Sequence, residues 1–148
     1  MDLNDVKNAI KSVSISHICK PSFNYGENWE EGLTGADTYP QIFMEQPILG
    51  SIERDRKTYS FGLVCFINLD TGVDVDVEFD AISRADEILT EIVSKISEDY
   101  KTSIAINHPY STISLNEVTT DEVYGVRADL RITINRDRCI DDKFETNC

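Results

Sequence analysis

From Tyr59 to Leu69, apolar residues take every second position: Tyr59, Phe61, Leu63, Cys65, Ile67 and Leu69. Successive side chains of a strand point to opposite faces, so these six line one side of it. The other side, Ser60, Gly62, Val64, Phe66 and Asn68, is polar at its ends and apolar in the middle. A run apolar on both sides also fits a turn of buried helix. Its aromatic and β-branched content, with Gly62, decides for a strand over about Lys57–Asp70. Beyond an acidic bridge, Asp70 to Asp80, the period changes. Ile82, Ala85, Leu89, Ile92 and Ile96 recur at steps of three and four, with Arg84, Glu87, Glu91, Lys95 and Glu98 opposite them. That is an amphipathic helix ending near Tyr100.

The same reading extends to both sides. Leu3, Val6, Ala9, Ile10 and Val13 predict a helix over about residues 2–14, capped by Asp2. Periodicity then stops. Over about residues 16–40 the chain carries Gly, Asn and Asp around three aromatics, Phe23, Tyr25 and Trp29. So long a connection is expected to be an interaction loop. Its aromatics either tuck beneath it or dock onto a neighbouring subunit. Gln41–Gln46 reads as a short strand confined by Pro40 and Pro47, and the polar stretch Pro47–Arg56 as a long hairpin connection. Ile104 and Ile106 suggest a brief extended piece, and Ile113, Leu115 and Val118 a strand. From Tyr124 to Asn135 strict alternation predicts a half-exposed strand, with Arg127, Asp129 and Arg131 on its wet side. The polar tail from about Arg136 is expected to be loosely held.

The predicted fold is therefore α+β: a mostly antiparallel sheet of about four strands with two helices packed on one face, in the order α-β-β-α-β-β. A chain of 148 residues, 41% of them apolar, suits a single domain over 1–148 with a core of ordinary size. No apolar run approaches the ~18 residues of a membrane span, and the first residues do not resemble a signal peptide, so synthesis in the cytosol is expected. The four cysteines form no C-x-x-C pair and are expected to be reduced, with Cys65 a core residue. Whether Cys139 and Cys148 ever bridge is left open.

Charge narrows the function. Acidic residues outnumber basic ones 27 to 14, a net charge of −13, and no basic run exceeds two residues. Gripping a nucleic acid backbone takes clustered Lys and Arg, so that role is disfavoured. An acidic surface can still face DNA without holding it. If extended, Asp74, Asp76, Glu78 and Asp80 would place four carboxylates on one face. The EF-hand pattern is missing, however, and a solvated acidic rim leading into a helix is the simpler reading. His17 with Cys19 supplies too few ligands for zinc, His108 has no evident partner, and no phosphate-binding glycine loop occurs. No catalytic, metal or cofactor residue is assigned.

With both helices over the Tyr59/Phe61 side, Val64 and Phe66 need another cover, from a partner subunit or the long loop. Arg127 and Arg131 could pair with an acidic neighbour. Phe23, Tyr25, Trp29, Val64, Phe66, Arg127 and Arg131 are thus the candidate subunit interface.

Several stretches resemble the tail-terminator, tail-completion and neck-ring proteins of tailed bacteriophages, in the version carried by phages of gut Bacteroidetes. They are Tyr39–Glu45, the strand Lys57–Asp70, the helix Ala81–Glu98, and Asp121–Arg131 followed by Cys139. The resemblance spans about residues 39–139 and leaves the loop at 16–38 unmatched. It implies a non-enzymatic virion protein that forms a ring, a hexamer or dodecamer, in the neck or at the head-proximal end of the tail. Its partners would be copies of itself, the head connector and the tail tube. DNA would pass through the channel ungripped, and no membrane would be involved. The competing reading is a small-ligand-binding or regulatory α+β module that dimerises through its sheet.

Overall fold

In the computed structural model, residues 1–26, 40–68, 75–116 and 123–135 are described. They form two helices and seven strands in the order α1 (Leu3–Ser16), β1 (Ser22–Gly26), β2 (Gln41–Glu45), β3 (Leu49–Ile52), β4 (Arg56–Asn68), α2 (Val75–Asp99), β5 (Ile104–Ile106), β6 (Ser111–Leu115) and β7 (Val123–Asn135). All seven strands share one mixed sheet, ordered β1-β2-β4-β7-β5, with β3 also on β4 and β6 also on β7. This corrects the four-stranded, α-β-β-α-β-β expectation. Within the stretch read as a loop, β1 runs parallel to β2. Within the stretch read as a hairpin connection, β3 pairs antiparallel with β4.

The spine is the β4–β7 ribbon, which pairs without interruption from Arg56↔Asn135 to Asn68↔Val123. Each long strand is flanked by two short ones in line. Beside β4, Met44 faces Leu63 and Leu49 faces Ser60, so the four residues 45–48 lie against the two residues 61–62. Beside β7, Ile106 faces Ile132 and Ser111 faces Asp129, so 107–110 lie against 130–131. Pro47 and Pro109 sit in these breaks, each after a cis peptide bond. Phe61 pairs with Leu130, so both breaks fall at one rung.

The core lies between the sheet and both helices. Val6, Ala9, Ile10 and Val13 of α1, and Ala85, Leu89, Ile92 and Ile96 of α2, pack on Leu63 and Cys65 of β4 and Val126, Leu130 and Ile132 of β7. Burial pushes the Cys65 thiol up to about 12, with the nearby Cys19 adding to the rise and Arg84 opposing it. It is protonated at neutral pH and is no nucleophile. His17 closes the C-terminus of α1: the Cys19 N–H donates to its Nδ1 (3.1 Å), which leaves the proton on Nε2, facing Glu91 Oε2 of α2 at 2.7 Å.

The N-terminus of α1 carries a reciprocal cap. The Asp5 N–H donates to Asp2 Oδ1 (2.9 Å), and the Asp2 N–H donates to Asp5 Oδ2 (2.8 Å). The backbone bond from Asp5 holds the Asp2 carboxyl below the ordinary value of 3.8. A depressed carboxyl contributes stability above its unfolded pKa and loses it as pH falls through the folded one. Asp2→Ala should therefore lower the melting temperature at neutral pH, and that deficit should shrink as the pH is taken below 3.8.

Candidate assembly surface

The sheet face turned away from the helices divides at Gly62. Toward Asn68 it is apolar and sealed: Phe43, Val64, Phe66 and Val123 form a second buried cluster, with Leu115 partly buried beside it. Toward Arg56 the face is open, with Leu49, Asp129 and Arg131 exposed, and exposed Ile113 stands at the division, in the rung of Arg127.

A charged clamp marks the division. Arg127 on β7 reaches across β4 to β2, where its Nε–H donates to Glu45 Oε2 at 2.8 Å, and its Nη1 bonds Asp129 Oδ1. Nothing larger than glycine fits beneath. A Cβ on Gly62 would lie 2.5 Å from Glu45 Oε2 and 2.7 Å from Arg127 Nε. Burial alone would pull the Arg127 pKa down, but the hydrogen bond and charge of Glu45, with Asp129, outweigh it and hold the group above its ordinary value. The guanidinium stays charged, and the clamp ties β7 to β2 across β4. Beside it, Glu45, Pro47, Leu49, Ser60, Gly62 and Arg131 line a depression of about 470 Å³.

The Arg127 side chain keeps 33% of its exposure and Glu45 only 16%. Losing the cation strands a mostly covered carboxylate next to Asp129. The expected cost of Arg127→Ala is about 1–2 kcal/mol, between exposed and buried pairs. Gly62→Ala disrupts the same pair, so the double variant should cost less than the sum of the single ones in urea denaturation.

The candidate interface residues fare differently. Val64 and Phe66, for which a partner subunit or the long loop was the expected cover, are fully buried within the chain. Phe23 is partly buried against the helix-side core. Tyr25, 56% exposed, lies under Lys7, whose Nζ is 4.7 Å from the ring centroid. Trp29 lies outside the described residues. Arg127 is committed to Glu45 and Asp129, whereas Arg131 is exposed on the open face. The acidic rim does not form an extended ladder: α2 begins at Val75, so Asp76, Glu78 and Asp80 occupy its first turns, and Asp74 lies outside the described residues. Glu78 turns inward and accepts from the Tyr124 hydroxyl at 2.9 Å.

Sequence reasoning passed over Glu45, Gly62 and Gln41. Glu45 and Arg127 stand 82 residues apart, and only the register joins them. Gln41, in the rung of Phe66, is wholly buried, and neither atom of its amide has a partner among the described residues. No group of three or more His, Cys, Asp or Glu that could hold a metal ion occurs among the described residues. No helix among them is long and apolar enough to cross a membrane. Neither a protein-family model nor a curated protein matches the chain.

Proposed function

We propose that this protein is a non-enzymatic structural subunit that self-assembles into a ring in the neck or at the head-proximal end of the tail of a tailed bacteriophage, with DNA passing through the channel. The observation that carries the reading is the open half of the sheet. There, rigid strands held by the Arg127–Glu45 clamp display charged side chains bordered by exposed Leu49 and Ile113. A surface mixing exposed apolar and charged groups on a stiff frame suits protein contacts. The resemblance of residues 39–139 to neck and tail-terminator proteins supplies the setting. The net charge of −13 fits a lumen that lets a duplex slide without adhering.

Light scattering and negative-stain electron microscopy of the purified chain test the proposal, together with a search for the protein in purified virions. Closed rings, and the protein's presence in particles, are expected. A chain that stays monomeric at high concentration and never enters particles overturns it.

A further inference from the structure

The two ends of the molecule differ in kind. At 13 residues β4 is about 40 Å long, and it runs from the β3–β4 turn to the level of the first turns of α2. Ile67 pairs with Tyr124, whose hydroxyl meets Glu78, and this fixes the start of α2 at the far end of the sheet.

At the near end, Leu49 and Ile52 are 68% and 66% exposed on an edge strand whose four residues are all open to solvent. Around them stand the cations of the turn and the sheet. Arg56 is neutralised by Glu53 at 3.2 Å, but Arg54, Lys57 and Arg131 enter no ion pair among the described residues. At the far end, Val75 and Phe79 are 76% and 70% exposed, one helical turn apart. Asp76 and Asp80 repeat the same spacing beside them. A helix N-terminus accounts for acidic side chains in its first turn, but not for a bare valine and phenylalanine there.

Resting on the ring reading above, we propose that the contact between neighbours is head-to-tail: the β3–β4 end of one copy (Leu49, Ile52, Arg54, Lys57) docks on the first turns of α2 (Val75, Asp76, Phe79, Asp80) of the next. The occupant of each end is a second copy of this chain because the two patches complement one another. Each offers two exposed apolar side chains, those of the β3–β4 end on opposite faces of the sheet, and their free charges are opposite. A two-fold contact through either end alone would set like charge against like. Joining unlike ends is heterologous, and a heterologous contact that closes makes a ring.

Two charge reversals test this, Arg54→Glu with Lys57→Glu at one end and Asp76→Lys with Asp80→Lys at the other. Sedimentation velocity should find each double variant folded by circular dichroism but monomeric where the wild type is assembled, with association weakened more than about tenfold. An equimolar mixture should assemble again in alternation, because the reversed β3–β4 end of one variant meets the oppositely reversed α2 end of the other, and the two intact ends meet each other. If either variant assembles as well as the wild type, or the mixture of folded variants does not recover, the head-to-tail contact is overturned while the ring stands. A wild-type chain that is itself monomeric overturns both.

Discussion

Replacing Gly125 by alanine should destabilise the fold by about 3–5 kcal/mol, a large share of the margin of an ordinary domain. Gly125 lies in β7 opposite Phe66 and beside Leu115, with a strand on either side. A Cβ there would fall 2.2 Å from the Cys65 carbonyl oxygen and 3.3 Å from Phe66 Cα. These are backbone atoms of the neighbouring strand, so no side-chain rotation relieves the contact. The β4–β7 ribbon has to separate locally, at the cost of rungs that the rest of the sheet is built upon. The other strand glycines rank the effect. At Gly62 the obstruction is the far end of two side chains, so the loss is that of the clamp. At Gly50 the nearest atom is Tyr59 Cε1 at 3.5 Å, an ordinary contact, and alanine should be nearly neutral. Urea denaturation of the three alanine variants checks the order. A Gly125→Ala protein within about 1 kcal/mol of wild type would rule out so close an approach of β4 and β7.

Phe66→Ala should cost about 3–5 kcal/mol in the isolated chain. Phe66 is fully buried with Phe43, Val64 and Val123, on the side of the sheet away from both helices. Truncation opens a cavity in the cluster on that side of the sheet, lined by Phe43, Val64 and Val123 among the described residues. The result separates two roles. A core residue lowers the unfolding midpoint of the monomer at every protein concentration. An interface residue spares the monomer and makes the loss depend on concentration. The first behaviour is expected, and the second would return Phe66 to the subunit interface.

The regular elements were legible where one side of an element is buried and the other wet. The stripes of α1 and α2 and the alternation of β7 are of this kind, because burial imposes the period that the sequence displays. Where nothing is buried, pattern misleads. Leu49-Gly50-Ser51-Ile52 is exposed along its whole length, so β3 had no inside to betray it. Conversely, Val75, Val77 and Phe79 alternate with acidic residues as a strand would, yet they belong to α2 and remain exposed. Their spacing records no packing. β1 was hidden differently: Phe23 and Tyr25 are two apolar positions in a Gly- and Asn-rich stretch, and their partner is a parallel strand beyond a long connection. Of the open sheet face, Arg127, Asp129 and Arg131 could be read from alternation alone. Glu45 and Gly62 could not, since their meaning lies in a register between distant segments.

That register also has a parity. Both flanks of the β4–β7 ribbon carry a surplus at the Phe61–Leu130 rung, and on both it is two residues, four set against two. A surplus of one would turn every later side chain of the flank to the other face of the sheet. Two is the smallest number that keeps inside and outside unchanged. Ile42 and Met44 before one break lie in the rungs of Cys65 and Leu63, and Gly50 and Ile52 after it in the rungs of Tyr59 and Lys57, all on the helix side. The same arithmetic sets what the chain can tolerate. Changes of length in β4 or β7 have nowhere to go, whereas the flanks at Pro47 and Pro109 accept residues in pairs.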